Sequence, residues 1–232
     1  MREMQLAPRL LDVAEKIPPG CRLVDVGTDH ARLPIWLLKN GRVSHVIASD
    51  LRKGPLAQAR KNAEKYHVSE HMELRQCPGL QGIAPEEADV ISICGMGADT
   101  IRHILEDAPW AREKKLILQP QSNLAMLRRF LQKNGYAIRE ESLSLDRGFY
   151  YVIWKVEAGE MPLLTPGEAH GGRLETLEPD SRWKEYLEQI TKKMAYELTF
   201  LNESVQEKDV LRREDLSAAL AELQKRKEGL PW

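Results

Sequence analysis

The chain has 232 residues, of which 42% are hydrophobic and 30% charged, a composition typical of a folded globular domain with an appendage. No run approaches the roughly 20 apolar residues that a membrane span requires. The N-terminal segment carries an acid at Glu3 and lacks the apolar centre of a secretory signal. The formal net charge of −1 excludes a global attraction to nucleic acid. We therefore expect a cytoplasmic protein without a membrane segment.

The three cysteines are Cys21, Cys77 and Cys94. They are widely spaced, and no histidine accompanies any of them at metal-ligand spacing. A low and odd count is typical of proteins of the reducing cytoplasm. We therefore predict neither a metal site nor a disulfide framework.

The first part of the chain alternates helices and strands. Apolar residues three and four positions apart predict helices, and short β-branched apolar runs predict strands. The helices are predicted over residues 9–17, 31–39 and 55–66, and the strands over residues 22–27, 43–50 and 72–75.

The next part continues this alternation and ends differently. Strands are predicted over 88–94 and 115–118, helices over 98–105 and 123–133, and a final strand pair over 136–143 and 149–156, joined around Asp146-Arg147-Gly148. Strands that alternate with helices indicate a mostly parallel sheet. An antiparallel pair after the last helix is typical of a methyltransferase sheet. The predicted fold class is therefore α/β, a Rossmann-like sheet of the S-adenosylmethionine-dependent methyltransferase type with an antiparallel last strand.

The C-terminal part has a different pattern. Apolar residues from Trp183 to Leu201 and from Leu216 to Leu223 follow a three-to-four spacing, and a polar break near 206–209 separates them. This pattern predicts an antiparallel, coiled-coil-like helical hairpin. The predicted division is a methyltransferase domain over 1–157, a linker rich in helix breakers over 158–172 and a helical tail over 173–232.

The loop after the first strand carries the residues Asp25, Gly27, Thr28, Asp29 and His30. Open α/β sheets bind ligands at this edge. The loop lacks the G-x-G-x-x-G pattern of a pyrophosphate site, because an acid, Asp29, stands two residues after Gly27. An acid repels a pyrophosphate and attracts a cation, so the loop favours S-adenosyl-L-methionine, with its sulfonium and ammonium, over NAD. Asp25 would orient the loop or meet the ammonium through water.

Three further loops belong to the same predicted edge. Asp50 ends the second strand at the distance where an acid hydrogen-bonds a ribose hydroxyl. Gly95-Met96-Gly97 follows the fourth strand, and its glycines would let backbone atoms line the cofactor pocket. The polar segment after the fifth strand suits a nucleobase edge, and its candidate substrate-binding or catalytic residues are Gln119, Pro120, Gln121 and Asn123.

A structural explanation competes with each functional one. Asp25 could be a capping residue, and Asp29 could be the N-cap of the helix that begins near Ala31. His30 could start that helix or lie in the core, Gln119 could satisfy backbone groups, and the glycines of 95–97 could serve only a turn. The shared position of all these loops at one sheet edge favours a binding site.

These motifs resemble the bacterial tRNA (adenine(22)-N1)-methyltransferase family. The resemblance rests on RLLDVAEKIPPG at 9–20, LVDVGTDHA at 23–31, ASD at 48–50 with KGP at 53–55, ICGMG at 93–97 and LILQP at 116–120. It implies a Rossmann-like catalytic domain, S-adenosyl-L-methionine as methyl donor, and methylation of N1 of an adenine in tRNA. It also implies a C-terminal coiled-coil-like hairpin that helps to hold the RNA.

The sequence departs from the family pattern at four positions. After the third strand the family has Gly-Asp-Gly-Leu, whose acid can hydrogen-bond the adenine amino group of the cofactor, and here Pro78 takes the place of that acid. The loss of one charge-assisted hydrogen bond would weaken cofactor binding by about 1.5–3 kcal/mol. Ala98, Gln121 and Val152 are the other three departures.

The expected chemistry depends on alignment, because N1 of adenine already carries a nucleophilic lone pair. Asp29 is the predicted catalytic acid, which would stabilise the developing positive charge or accept a proton from the base, and Gln119 would orient the base. The base would have to be splayed or flipped from its stem. Two alternatives stay open: a catalytically weakened paralogue that binds RNA or a protein partner, which Pro78 supports, and a small-molecule methyltransferase.

The tail carries basic residues that could follow tRNA phosphates. These are Lys192, Lys193, Arg212 and Arg213. Their plainer interpretation is a solvated helix face, because charge runs usually solvate. We expect a monomer or a weak dimer that binds tRNA.

Overall fold

The computed structural model describes residues 4–201 and 206–229. Its seven strands are β1 (Arg22–Val26), β2 (His45–Asp50), β3 (Met72–Gln76), β4 (Val90–Met96), β5 (Lys115–Pro120), β6 (Tyr136–Asp146) and β7 (Phe149–Ala158). Its α-helices are α1 (Pro8–Lys16), α2 (Arg32–Lys39), α3 (Lys53–Lys65), α4 (Ala98–Asp107), α5 (Leu124–Lys133), α6 (Pro166–Gly171), α7 (Arg182–Leu201) and α8 (Glu207–Glu228). Within these residues, no helix is both long and apolar enough to cross a membrane.

All seven strands form one sheet in the order β3-β2-β1-β4-β5-β7-β6. The first five strands in this order are parallel, and β7 is antiparallel to both β5 and β6. The predicted α/β methyltransferase-type sheet with an antiparallel last strand is therefore confirmed. Because β7 reverses direction between β5 and β6, the C-terminal end of β6 lies at the same edge as the C-terminal ends of the parallel strands.

β4 and β5 extend further at their C-terminal ends than their sequence pattern predicts, as do β3, β6 and β7. β4 continues past Cys94 through Gly95 to Met96, and β5 continues past Leu118 to Pro120. The two strands stay paired, with a register shift between Cys94 and Met96, because Gly95 adopts φ 75° and absorbs an extra residue as a bulge. A glycine at a strand end predicts a turn, and the pairing with β5 overrides that local signal.

Apolar clusters cover both faces of the sheet. On one face, Leu23, Val46 and Ile117 pack with helices α1, α2 and α3. On the other, Val24 and Leu116 pack with α4, α5 and the tail helices. Neighbours in the sequence such as Leu23 and Val24 thus face opposite layers, which is the three-layer arrangement that buried parallel strands require.

The tail packs on the same core as the sheet. Trp183 and Leu187 of α7 are fully buried, together with Leu223 of α8, in the cluster that also contains the strand residues of that face. The helices α7 and α8 form the predicted antiparallel hairpin, with Arg212 paired to Glu197 at 2.8 Å near the turn. The predicted break over 206–209 is placed too late, because Gln206 is the N-cap residue of α8 and the helix already begins at Glu207. Residues 202–205 lie outside the described residues. Removing the whole tail would expose this core and destabilise the domain, so point variants are better suited to test the function of the tail.

The predicted linker over 158–172 contains a short helix, α6. Thr165 forms a capping box with Glu168, and Gly167, Ala169 and Gly171 are buried. Small residues are needed there because a Cβ at Gly171 would come within 2.5 Å of a Leu223 methyl carbon. Pro and Gly predicted a linker from sequence alone, whereas here they begin a helix and allow its close packing.

A buried ion pair joins the sheet to this segment. Arg128 of α5 and Glu141 of β6 lie 2.5 Å apart, and the side chain of each is 1% exposed. Arg128 also donates to the carbonyls of Ala169 at 2.9 Å and His170 at 3.1 Å, and its guanidinium lies 4.6 Å from the Trp154 ring centroid. These partners come from β6, β7 and α6, so the pair fixes how α5, the two hairpin strands and α6 meet.

We predict that Glu141→Gln lowers the free energy of unfolding by about 3–5 kcal/mol, because it leaves the Arg128 charge buried without a counter-charge. Glu106→Gln is the matched control, since it removes the partner of Arg102 from an exposed helical pair, and it should cost less than about 1 kcal/mol. Urea unfolding measures both. Equal, small losses in the two variants would show that the buried pair does not organise this junction.

Candidate active site

A cavity of about 1130 Å³ opens at the carboxyl ends of β1, β2 and β4. The sequence-predicted residues that line it are Asp25, Gly27, Thr28, Asp29, His30, Asp50, Gly95, Met96 and Gln121. The predicted residues outside its lining are Gly97, Gln119, Pro120, Asn123 and the four tail cations Lys192, Lys193, Arg212 and Arg213. The cavity thus assembles most of the predicted cofactor loops and separates them from the tail.

The loop after β1 is held in an unusual backbone conformation. Gly27, Asp29 and Ala31 all have φ between 52° and 69°, and the Thr28 amide donates to the Ser49 carbonyl at 2.9 Å. Ala31 is the N-cap of α2, with no side-chain cap, so the alternative in which Asp29 caps this helix is wrong. The Asp29 side chain is 65% exposed within the cavity mouth, 3.4 Å from the His30 ring.

Asp50 ties two of these loops together. Its carboxylate accepts hydrogen bonds from the Asp29 amide at 3.3 Å and from the Arg52 amide at 2.9 Å. The side chain is 7% exposed, yet the residue lines the cavity. A carboxylate anchored by backbone donors is fixed in position, and this is what selective binding of a ribose hydroxyl pair requires.

Asp25 is the most deeply placed acid of the cavity. It accepts a hydrogen bond from the Ser92 hydroxyl of the neighbouring strand at 2.6 Å, and burial raises its pKa to about 6. Burial, and secondly the nearby Asp25 carboxylate, raise the pKa of the Cys94 thiol. When it is ionised, a buried carboxylate bonded only to a neutral hydroxyl has no counter-charge from this partner. A cationic ligand could supply that counter-charge.

Gly27 is required by its contacts as well as by its backbone angle. A Cβ at this position would lie 2.0 Å from the terminal methyl carbon of Met96. The β1 loop and the end of β4 therefore touch across the cavity floor. This close approach explains why the first loop and the Gly95-Met96 segment belong to one site.

Four predicted residues lie elsewhere because the strands and helices begin or end differently from the prediction. Gln119 and Pro120 are part of β5, and Gln119 is 1% exposed. Asn123 precedes α5 with φ 52° and makes no side-chain cap. Gly97 precedes α4, and a Cβ there would lie 3.1 Å from the Ser122 hydroxyl. Gln119 reaches the cavity only through Arg9, whose guanidinium donates to its side-chain oxygen at 3.4 Å.

The cavity also contains residues that the sequence analysis did not single out. Arg9 of α1, Asp146 and Arg147 of the β6–β7 turn and Tyr151 of β7 line one end, and Thr100, His103 and Asp107 of α4 line another part. The turn residues could have been found, because a strand parallel to β5 must end at the binding edge. Arg9 carries no comparable signal, since its helix reaches the cavity only through tertiary packing.

A carboxylate from α4 lies in the same cavity as Pro78. Pro78 lines the cavity after β3, and Asp107 lines it from α4. Gln81, in the loop that follows Pro78, donates to the Asp107 carboxylate at 3.2 Å. A carboxylate is therefore held beside the segment where the family pattern places its acid.

The basic tail residues have partners of their own. Lys192 pairs with Glu188 at 2.8 Å, Arg212 pairs with Glu197 at 2.8 Å, and Arg213 donates to the Leu201 carbonyl at 3.3 Å. Lys193 is exposed. Among the residues that the structure describes, no group of three or more His, Cys, Asp or Glu could hold a metal ion.

The fold and the cavity together define a methyltransferase domain, and a family model described as a methyltransferase domain matches residues 6–154. The Bacillus subtilis tRNA (adenine(22)-N(1))-methyltransferase is 38% identical over 162 residues, which are 69% of this chain and 68% of that protein. The chain belongs to the tRNA (adenine(22)-N1)-methyltransferase family.

Solved structures agree over nearly the whole chain, which includes most of the tail. The crystal structure of the B. subtilis M1A22 tRNA methyltransferase TrmK is 30% identical, with a TM-score of 0.84, covering 96% of this chain and 99% of that one. The Streptococcus pneumoniae protein Sp1610 in complex with S-adenosyl-L-methionine is 30% identical, with a TM-score of 0.80, covering 94% and 99%.

We predict that Asp25→Asn stabilises the fold increasingly as the pH rises from about 4 to about 7. The folded-state pKa of Asp25 lies above its unfolded value, so ionising the buried carboxylate costs stability across this range, by up to about 3 kcal/mol. The measurement is the free energy of unfolding of variant and wild type across this range. Asp99→Asn, at a 67% exposed side chain, should give a flat difference, and a flat difference for Asp25→Asn would contradict the prediction.

Proposed function

We propose that this chain transfers a methyl group from S-adenosyl-L-methionine to N1 of an adenine in tRNA. The observation that carries the proposal is the cavity at the sheet edge, where acids that suit a cationic cofactor line the floor in a chain of this family. The substrate is inferred from the related tRNA methyltransferase, and the cofactor chemistry is inferred from the residues that line the cavity.

The residues present fit the cofactor. Asp50, held by two backbone amides, would bind the ribose hydroxyls. Asp25 would attract the ammonium through water, and Gly27 would let the backbone approach the ligand. Thr28, His30 and the Gly95–Gly97 segment complete the proposed contacts, although Gly97 would act by shaping the turn. Asp107 is placed to compensate for the missing acid at Pro78.

When bound, S-adenosyl-L-methionine supplies a methyl group made electrophilic by its sulfonium. The work of the protein is to align N1 of adenine with that methyl group and to stabilise the positive charge that the base acquires. Asp29, exposed at the cavity mouth, is the acid proposed for this second task. Gln119 would act indirectly by orienting Arg9, and Gln121, which lines the cavity, is better placed to contact the base.

Family membership favours this function over a small-molecule methyltransferase. The alternative of a weakened paralogue loses support because Asp107 keeps a carboxylate near Pro78. The tail cations Lys192, Lys193, Arg212 and Arg213 stay a prediction as tRNA contacts, as do Pro120 and Asn123, a cytoplasmic location and a monomer or weak dimer.

The direct test is transfer of a labelled methyl group from S-adenosyl-L-methionine to unmodified tRNA, with mass-spectrometric mapping of the product to N1 of adenine. We expect Asp29→Asn to reduce turnover roughly ten- to a hundredfold through lost charge stabilisation, with little change in melting temperature. Asp99→Asn, which is equally exposed at 67% against 65%, should behave as wild type. Wild-type protein that labels no tRNA would overturn the proposed function.

Gly27→Ala should reduce affinity for S-adenosyl-L-methionine at least about tenfold, because the new Cβ displaces Met96 into the cofactor site. Gly20→Ala is the matched control, since Gly20 has a similar φ of 74° with nothing within 4 Å of a Cβ. Both variants share the backbone strain, so calorimetric titration of the folded proteins isolates the crowding. Equal cofactor affinity in the two variants would remove Gly27 from the binding floor.

A further inference from the structure

The two ends of the cavity differ in what they can bind. Asp50 and the β1 loop occupy the end above β1 and β2, where the cofactor is proposed to lie. The sheet order continues through β4 and β5 to β7 and β6, so the opposite end lies beside the β6–β7 hairpin. The second end leaves room for the methyl acceptor beside the proposed cofactor position, and this inference rests on the proposed function.

A polar cluster fills this second end. The Arg9 guanidinium lies 3.5 Å from the Asp146 carboxylate and 5.5 Å from the centroid of the Tyr151 ring. The Asp146 side chain is 9% exposed and still lines the cavity. Arg9 therefore holds in place a carboxylate whose remaining acceptor positions face the site.

An exposed aromatic residue continues this cluster outward. Asp146 pairs with Phe149 across the hairpin, and Ser144 pairs with Tyr151. Residues opposite each other and residues two apart share one face of a hairpin. Phe149 thus lies on the same face as Asp146 and Tyr151, one step beyond the cavity, with 67% of its surface exposed.

The backbone of the tip keeps these side chains at the rim. Arg147 and Gly148 form a two-residue turn with φ 51° and 81°, which is the tight type that fixes hairpin register. Arg147 is exposed and lines the cavity. From the surface inward, the tip therefore presents the exposed ring of Phe149 and then Arg147 and the buried acid Asp146, which both line the cavity.

This order matches what an adenine in a folded RNA requires. N1 lies on the pairing edge, so the base has to leave its stack before the methyl group can reach it. We propose that the tip of the β6–β7 hairpin holds the target adenine outside the stack. Phe149 stacks on the bases beside the vacated position, Arg147 contacts the RNA backbone, and Asp146 accepts a hydrogen bond from the 6-amino group.

The test uses tRNA that carries 2-aminopurine at the target position, whose fluorescence rises when the base leaves the stack. Wild-type protein should produce this rise, and Phe149→Ala should reduce it several-fold because base–aromatic stacking is lost. Phe200→Ala is the matched control, since Phe200 is also 67% exposed but lies on α7. Phe149→Tyr should restore the signal.

A second variant separates the role of Asp146 from the role of Phe149. Asp146→Asn should leave the 2-aminopurine rise near the wild-type level, because that base lacks a 6-amino group. The same variant should slow methylation of adenine roughly tenfold, while calorimetric affinity for S-adenosyl-L-methionine stays unchanged.

The outcomes separate the two proposals. If wild-type protein methylates tRNA and Phe149→Ala gives the same fluorescence rise as Phe200→Ala, the role of the hairpin is overturned and the proposed function stands. If Asp146→Asn methylates as fast as wild type, the acid does not read the amino group. If wild-type protein methylates no tRNA, the proposed function fails, and the role of the hairpin fails with it.

Discussion

The buried contact between Arg128 and Glu141 is the interaction on which the arrangement of the C-terminal half depends. A charge pair with 1% exposure on each side depends on further hydrogen bonds to its donors and acceptors. Nη1 of Arg128 donates to two carbonyls that end α6, and the second carboxylate oxygen of Glu141 accepts from the Thr176 hydroxyl at 3.1 Å, while Nε of Arg128 is buried without a partner among the described residues. The sheet and the tail are therefore joined by polar geometry as well as by apolar burial.

This junction lies on the strand that leads to the cavity. Glu141 lies in the middle of the same strand that ends at Asp146. The ion pair holds this strand against α5, and the same strand carries Asp146 to the cavity. The tail is thus part of the framework of the catalytic domain. Its basic residues Lys192 and Arg212 form ion pairs with Glu188 and Glu197 of the tail itself.

Three acids of the cavity differ in burial and in hydrogen bonding. Asp50 accepts hydrogen bonds from two backbone amides and joins two loops, Asp25 is buried beside a neutral hydroxyl, and Asp29 stays exposed. The same residue type therefore has three different environments within one site. Environment, more than residue identity, decides whether a carboxylate holds the fold, attracts a cation or faces a substrate.

The sequence by itself determined the fold class, because alternating apolar periodicities are local signals, and it placed Asp25, Asp29 and Asp50 at one sheet edge, because strand ends in a parallel sheet converge there. It located the helical hairpin from heptad-like spacing. Only the tertiary structure decided that Gln119 is buried and that Arg9 and Asp146 meet across 3.5 Å. Strand lengths and contacts between residues far apart in the chain depend on pairing and packing, which no local pattern encodes.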